Sequence, residues 1–473
     1  MKKILKQFPV WMIQRPDIFF FYCYLLTLPF SIRKILWFLP LRGVFNEYAD
    51  VSLFLSDICL LLCLSSFIFV LQRNYESLSM VFVSLRSKKR LSDVIFLFSP
   101  AALVMWSFIT TVYSMNFYIS GYSSWRILEF VLLYYYILFQ FVSRGTCITV
   151  FREYFIKKSF EIIIFGSLLH SMLGVLQFIS KASMGMHFFG ESIINISAPG
   201  VAKIVINGIT YIRSYGMFPH PNIFASYLVM CLILTLLYNR VYVEQNDESK
   251  SVGTLFLRIV IIMQALALFL TFSKSAWAGL LFAAAYLRYV SRETLNKDHL
   301  GRIWSGGFYK ICIIGMFLSI VMFLLYAIDY ENIIKKSSNE RGVYVDIALS
   351  IIRNNPILGI SCGQMVIFMQ DSVIYPLYDW QLQPVHNVFL LIWVELGLIG
   401  FMIFTSLVFS AIFQKIKYCD TYAIFSQYYK AILIAFVPML LLDHYLWDIQ
   451  QGIGEFWLIL SLFVSSVVSN MKK

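Results

Sequence analysis

Charge is scarce in this sequence: only 14% of its residues are Asp, Glu, Lys or Arg, against roughly a quarter in soluble globular proteins. That scarcity excludes a soluble enzyme and a charged disordered tail. Cysteine is sparse too, and its eight copies form no CxxC pair and no disulfide framework. Cys23, Cys59, Cys63, Cys231 and Cys312 fall in apolar blocks, Cys147 and Cys419 in loops read as internal, and only Cys362 in a loop read as external. Structural zinc and redox roles therefore lack their signature. There is no D-x-D, no HExxH and no Walker A sequence. Metal-bound nucleotide-sugar chemistry, zinc hydrolysis and ATP-driven transport each lose their usual motif.

What is present is apolar surface. Of the 473 residues 59% are hydrophobic and 18% aromatic, and mean hydropathy is +0.74. A bilayer-spanning helix needs about 20 mostly apolar residues. Such blocks lie near 17–31, 51–72, 94–113, 127–143, 159–180 and 222–239, then 257–273, 275–290, 309–328, 387–413, 430–446 and 453–469. The expectation is an all-α polytopic membrane protein of about twelve spans, with residues 1–473 forming a single polytopic domain. The first block, interrupted by Pro29 and Arg33-Lys34 and lacking a cleavage site, reads as a span and not a signal peptide. With the N-terminus inside, the internal segments hold 26 of the 38 Lys and Arg residues, so the positive-inside rule places both termini in the cytoplasm. The same rule accounts for the net charge of +12 without nucleic acid.

Two external loops are long, from about Lys181 to Pro221 and over 329–386. In the second, Tyr344, Ile347, Ala348, Ile351 and Ile352 recur at helical spacing, which predicts an amphipathic helix over 341–353 lying against the membrane. Ser337 and Glu340 are placed to form its capping box, and Asn354-Asn355-Pro356 with Gly359 to stop it.

Polar residues gather at the external ends of the spans. Arg213 and His220-Pro221-Asn222 precede the sixth span, Ser273-Lys274-Ser275 makes the turn between the seventh and eighth, and Arg341 opens the large loop. His386-Asn387 closes that loop, and Asp443-His444 follows the eleventh span. Arg213, Lys274 and Arg341 are three cations on the side where positive charge is otherwise scarce, as a polyanionic head group such as a pyrophosphate would require. The competing explanation for each alone is snorkelling to lipid phosphate. His187 is a fourth external histidine beside His220, His386 and His444, and each can equally be a satisfied interfacial residue. Glu395 is an acid nine residues into the tenth span, a candidate for function or for internal pairing. Gly359-Ile-Ser-Cys-Gly363 matches G-x-S-x-G, but a nucleophile elbow needs an α/β sheet, so that reading is rejected. Gly397 and Gly400 read as sites of close helix packing.

In order, Arg213-x-x-Gly216 with Pro221-Asn222, Thr271-Phe-Ser273-Lys274-Ser275-Ala-Trp277, Arg341 leading to Asn355-Pro356-Ile-Leu-Gly359-x-x-x-Gly363, and His386-Asn387-x-Phe-Leu leading to Glu395-Leu-Gly397-Leu-Ile-Gly400 resemble the O-antigen ligase and O-antigen polymerase (Wzy-like) family of polytopic membrane glycosyltransferases. The resemblance is densest over 200–405, the ligase-like core; Lys274 stands where the family commonly has arginine. It implies a GT-C-like helical fold with the large external loop between spans nine and ten. It also implies a bacterial inner-membrane enzyme of cell-surface polysaccharide or lipopolysaccharide synthesis, active on the extracytoplasmic face. Such enzymes move a glycan from an undecaprenyl-pyrophosphate carrier to a hydroxyl of a lipid- or glycan-linked acceptor. By this resemblance Arg213 and Arg341 hold the pyrophosphate and His386 is the base, with Lys274, His220, Asn222, Asn387, Asp443 and His444 as substrate-binding candidates. Two arginines can neutralise a diphosphate without a metal, so no metal and no cofactor is expected, and a single displacement inverts the anomeric carbon. A ligase is the reading adopted. A Wzy-type repeat-unit polymerase stands beside it, as do, from other classes, a flippase for lipid-linked sugars and a non-catalytic scaffold of an envelope assembly.

Overall fold

The computed structural model describes residues 15–73, 91–142, 146–243, 252–294, 331–370, 377–416 and 421–470. It is a mostly helical membrane protein. Helices α1 (Pro16–Thr27), α2 (Leu55–Arg73), α3 (Leu91–Thr111), α4 (Phe117–Val142) and α5 (Thr146–Ser180) come first. Then follow α6 (Pro221–Tyr238), α7 (Val252–Leu270), α8 (Lys274–Thr294), α9 (Glu331–Asn354), the short α10 (Met365–Gln370) and α11 (Val388–Phe413). Helix α12 (Thr421–Leu442), the single turn α13 (Tyr445–Asp448) and α14 (Gln450–Asn470) complete the bundle. A helix stands at every expected span that falls among the described residues; the expected ninth span, 309–328, lies outside them. Seven of the helices are long and apolar enough to cross a membrane by length and composition.

Burial sorts these helices into layers. In α6 and α14, 83% and 100% of the most apolar stretch is buried, against 39% in α3 and 33% in α7. A helix that is apolar all round belongs in the interior of a bundle. Accordingly α6 packs against α5, α7, α8, α12 and α14, while α14 packs against α4, α6 and α12. The outer helices turn side chains such as Phe98, Met105, Phe165 and Ile262 outward, as lipid-facing surfaces do.

The first two blocks differ from the expectation. Helix α1 stops at Thr27, and the chain then forms an antiparallel hairpin of β1 (Arg33–Phe38) and β2 (Asp50–Phe54). The second helix therefore starts at Leu55 and not at 51. The Pro29 and Arg33-Lys34 interruption ends the helix, and β1 pairs its backbone groups with β2 instead. A second hairpin, β3 (Lys203–Ile206) and β4 (Ile209–Ile212), occupies the loop before α6.

The large loop also corrects two expectations. Helix α9 begins at Glu331, so Ser337 lies inside it and does not cap it. Its apolar face is the expected one: Tyr344, Ile347, Ala348, Ile351 and Ile352 are buried. Their face packs against α11, so the helix docks onto the bundle through it.

Gly397 is not a packing glycine inside a continuous helix. It takes φ +64° and ψ −169° and breaks α11 in two. The break frees the carbonyls of Val394, Glu395 and Leu396 from helical pairing. In a bilayer such groups must find partners in the protein. Ile360 N–H donates to Val394 O (2.9 Å), Ser361 N–H to Glu395 O (2.8 Å), and the Trp106 indole to Leu396 O (2.7 Å). In return Leu398 N–H and the Trp393 indole both donate to Pro356 O. The segment 356–361 is thus plugged into the gap in α11. Within it, Ser361 is buried against the hydroxyls of Ser120 and Thr110 at φ +81°, so the G-x-S-x-G match is part of the plug.

A Cβ on Gly397 would meet Ile357 O at 2.1 Å, and one on Gly359 would meet Glu395 O at 2.4 Å. Strain at a backbone conformation open almost only to glycine adds about 1–3 kcal/mol. Gly397→Ala and Gly359→Ala are expected to lower the melting temperature of the detergent-solubilised protein sharply. Gly208→Ala carries a similar φ in the β3–β4 turn but meets nothing within 4 Å, so it should cost only about 1 kcal/mol. Equal melting by all three variants would contradict the plug.

Candidate active site

The candidate residues converge where α6, α8 and α11 begin and α12 ends. The approach to α6 is fixed first. Arg213 N–H donates to Ala202 O and Ser214 N–H to Leu270 O, which leans the β3–β4 hairpin on the end of α7. The Gln177 carbonyl then accepts from the backbone N–H groups of Tyr215 and Gly216. Pro221, with its preset φ, sits in the first turn of α6, and His220 caps the helix: its Nδ1 accepts from Asn222 N–H (3.2 Å). A relay of side chains crosses the site from here. Arg213 donates through Nε to Thr271 O and through Nη2 to Asn222 Oδ1 (2.6 Å), and Asn222 Nδ2 donates to Asp443 Oδ2 (2.7 Å).

His386 is held by rings. Tyr344 of α9 stacks on it with centroids 5.6 Å apart and planes 13° from parallel, while His444 meets it edge-on at 5.0 Å. The Tyr344 hydroxyl donates to Gln381 O, and Gln381 Nε2 donates to Glu340. These bonds tie α9 to the segment before His386. The buried Nδ1 of His386 has no hydrogen-bond partner among the described residues. His444 is held differently: its Nδ1 pairs with both carboxylate oxygens of Asp448 (2.8 and 2.9 Å), Asp443 Oδ1 accepts its backbone N–H, and Tyr48 packs on its ring at 5.5 Å.

These neighbours give the two imidazoles opposite charge states. Burial alone would lower His444, but the Asp448 carboxylate outweighs it and holds His444 up at about 9. Burial, then the charges of His444 and Arg341, push His386 down to about 4 against the pull of Asp443. Burial and Arg213 lower His220 to about 3. Asp443 is held below the usual carboxylate range: burial would raise it, but His444, His386 and His220 outweigh burial. Near neutral pH the site thus contains a charged His444, a neutral His386 and an ionised Asp443.

Arg213, Lys274 and Arg341 come from three separate elements. Arg213 and Arg341 both lie within electrostatic reach of Lys274, and Arg341 also acts on His386. Three helix N-termini, those of α6, α8 and α11, add positive potential at the same place. His386, Asp443 and His444 each offer one ligand atom within 4.8 Å of the others, so this trio can hold a divalent cation. Asp443 already accepts bonds through both oxygens, however, and the surrounding cations favour an anion.

Not every residue singled out by pattern joins the cluster. Asn387 caps α11 through Leu390 N–H and donates to Leu441 O, so its polar groups serve the backbone. His187 pairs with Glu191 O in the loop after α5. Glu395 accepts from the Trp447 indole (3.0 Å) and lies beside the Cys362 thiol. Three contributors carried no readable signal: Tyr48, Tyr344 as a ring platform, and Asp448. Only the i,i+4 spacing of His444 and Asp448 on a helical turn could have pointed to their pair.

Residues 259–405, 147 of the 473, match the family model Wzy_C, described as O-antigen ligase. Over this segment the chain is similar to the O-antigen ligase family. The match spans α7, α8, α9, the plug, His386 and both halves of the broken α11. It supports, in general terms, a function of the O-antigen ligase or polymerase type. No curated protein matches the chain. Arg213, His220, Asn222, Asp443 and His444 lie outside the matched segment and join its residues through the contacts described above.

The His444–Asp448 pair has a consequence for stability. A histidine whose folded pKa is raised adds stability that is fully present below its unfolded value, about 6.5, and lost as pH rises through about 9. The lowered values of His386 and His220 act on the acid side of that window. Asp448→Asn is therefore expected to remove on the order of 2 kcal/mol at pH 6.5 and much less at pH 10. Melting curves against pH check this; a gap between variant and wild type that does not narrow above pH 9 would contradict the pairing.

Proposed function

We propose that this chain transfers a glycan from an undecaprenyl-pyrophosphate carrier to a hydroxyl of a separate acceptor, as an O-antigen ligase does, on the extracytoplasmic face of the bacterial inner membrane. The observation that carries the reading is the convergence of Arg213, Lys274 and Arg341 beside a neutral His386 whose Nδ1 is unpartnered. A diphosphate is a competent leaving group once its charge is met, so electrostatic stabilisation does most of the work. Arg213 is held by Thr271 and Asn222, and its preorganisation costs nothing at the moment of reaction. Arg341 is exposed on α9 and acts on the same space.

The step proceeds as follows. The acceptor hydroxyl oxygen attacks the anomeric carbon, the carbon–oxygen bond to the diphosphate breaks, and its electron pair leaves on the diphosphate. The hydroxyl proton passes to His386. One displacement inverts the anomeric centre. Binding of the anionic donor offsets the charges of His444 and Arg341 that depress His386, which raises its basicity when substrate is in place. His444, kept charged by Asp448, adds a fourth positive group next to the base.

Purified protein given a lipid-diphosphate-linked glycan and a separate acceptor tests the reading. Arg341→Ala and His386→Ala are each expected to cost about 10²–10⁴-fold in transfer at unchanged membrane level. Wild-type rates from both variants would remove the mechanism. Activity is expected to fall as pH rises through about 9, where His444 loses its proton. Asp448→Asn should move that alkaline limb to lower pH, because it removes the carboxylate that holds the proton on. An unmoved limb would rule out a role for the His444 charge.

A further inference from the structure

Behind His444 lies a cavity of about 520 Å³, within the roughly 300–1,000 Å³ usual for small-molecule sites. Its walls come from the β1–β2 hairpin, α4, the loop after α5 and the start of α14, and include Arg33, Glu47, Asp50, Arg126, Gln450 and Gln451. These residues lie outside the segment that matches the ligase family, although Cys362, Gly363, Val366, Pro384 and Glu395 of that segment also line the cavity. The cavity adjoins the candidate active site without containing its cations. Tyr48 and Asp448 line it, and both touch His444; Pro384, two residues before His386, lines it as well. Arg213, Lys274 and Arg341 are not among its walls.

We propose that this cavity binds the sugar of the acceptor, a neutral polyhydroxylated ligand. Three observations select that chemistry. The cavity's two arginines have partners, Arg33 in Asp50 (3.3 Å), and Arg126 in the Tyr122 hydroxyl and Gln450, and the acidic side chains of the lining outnumber them. The carboxylates of Glu47, Glu191 and Asp448 also face it, which opposes an anion further. Second, two buried polar atoms on lining residues lack partners, Nε of Arg126 and Oε1 of Gln451. One donates and the other accepts, as a sugar hydroxyl pair can satisfy together. Third, aromatic rings of Phe54, Tyr122 and Trp447 share the walls with the polar groups, a combination of apolar face and hydrogen-bonding rim that suits a pyranose. Glu47 is exposed and lines this space.

The acceptor assignment rests on the proposed transfer reaction. In an in-line displacement the nucleophile approaches opposite the leaving group. With the diphosphate on the side of Arg213, Lys274 and Arg341, the acceptor belongs on the other side of the histidine pair, where the cavity lies. The binding of saccharide itself does not depend on that reading.

The test uses the full chain in detergent, with short oligosaccharides cut by mild acid from the producing organism's own surface glycans as the probe and saturation-transfer NMR as the readout. Wild type is expected to saturate the pyranose protons. Ile193→Trp, at a cavity-lining residue that is 75% exposed, and Glu47→Ala should each weaken binding at least tenfold, whereas Arg341→Ala should leave it unchanged. In the transfer assay the two cavity variants should raise the acceptor KM about tenfold and leave the donor KM alone. Equal binding by wild type and both cavity variants, or a rise in donor KM only, would overturn the proposal. Saccharide bound by wild type and lost in the variants, in a protein that transfers no glycan, would remove the ligase reading and leave the cavity as a sugar site.

Discussion

The break in α11 at Gly397 is the constraint on which the geometry of the site depends. A continuous helix through a bilayer satisfies its own backbone and offers nothing to its neighbours. Once broken, α11 exposes the carbonyls of Val394, Glu395 and Leu396; the Trp106 indole reaches the last, and a second piece of backbone reaches the other two. The segment after α9 supplies it, with Ile360 and Ser361 as donors. Docking that segment fixes where α9 ends and therefore where Tyr344 meets His386 at the head of the same broken helix. One glycine conformation thus couples the large loop to the residue proposed as base. The coupling is steric as well as polar, because Gly359 and Gly397 pack backbone on backbone with no room for a Cβ on either.

Electrostatic order follows from that placement. His386 and His444 lie 5.0 Å apart and would repel each other if both were charged. Asp448 breaks the tie: it pairs with His444 and leaves His386 neutral. Two imidazoles of equal intrinsic basicity are thereby driven to different charge states by one carboxylate, the general pattern by which neighbouring titratable groups divide donor and acceptor roles. Asp443 completes the balance through Asn222, which also contacts Arg213. The hydrogen-bond relay therefore runs from the cation expected to meet the leaving group to the backbone N–H of His444, beside the imidazole pair.

Much of the architecture was legible in the sequence because a bilayer imposes a simple rule on composition. Apolar length located the helices, although α4, α5 and α12 start well before the expected blocks at 127, 159 and 430, and the helical spacing of Tyr344, Ile347 and Ile351 gave the buried face of α9. Failures cluster where pairing is long-range. The β1–β2 hairpin could not be read because its strand β1 is exposed along its whole length and shows no alternation; its existence depends on pairing with β2. Gly397 looked like any small residue in an apolar span, since the segment that needs the break lies some forty residues earlier. Within the site, cations on the wrong side for the positive-inside rule were conspicuous, and so were the histidines. Asp448 and Tyr48 were not, because their roles come from what they touch. Arg126 was hidden for the opposite reason: a charged residue inside an aromatic helix only lowered its hydropathy.

The family match and the remaining walls divide the protein along a chemical line. The matched segment carries α9, the plug and His386, the parts that set the proposed base and two of the three cations, Lys274 and Arg341. The hairpin and the starts of α4 and α14 carry the polar cavity beyond His444. Breaking a glycosyl diphosphate asks the same of any such protein, a set of cations and a base, so that half is constrained by the reaction. Choosing which alcohol receives the glycan asks for a pocket shaped to one sugar, and a hairpin tied to the bundle through Tyr122, Asp57 and Gln450 can vary without moving the reacting groups. Since Tyr48 lies on that hairpin and packs on His444, the ligand that fills the pocket also bears on the ring beside the base, and the two halves meet at a single imidazole.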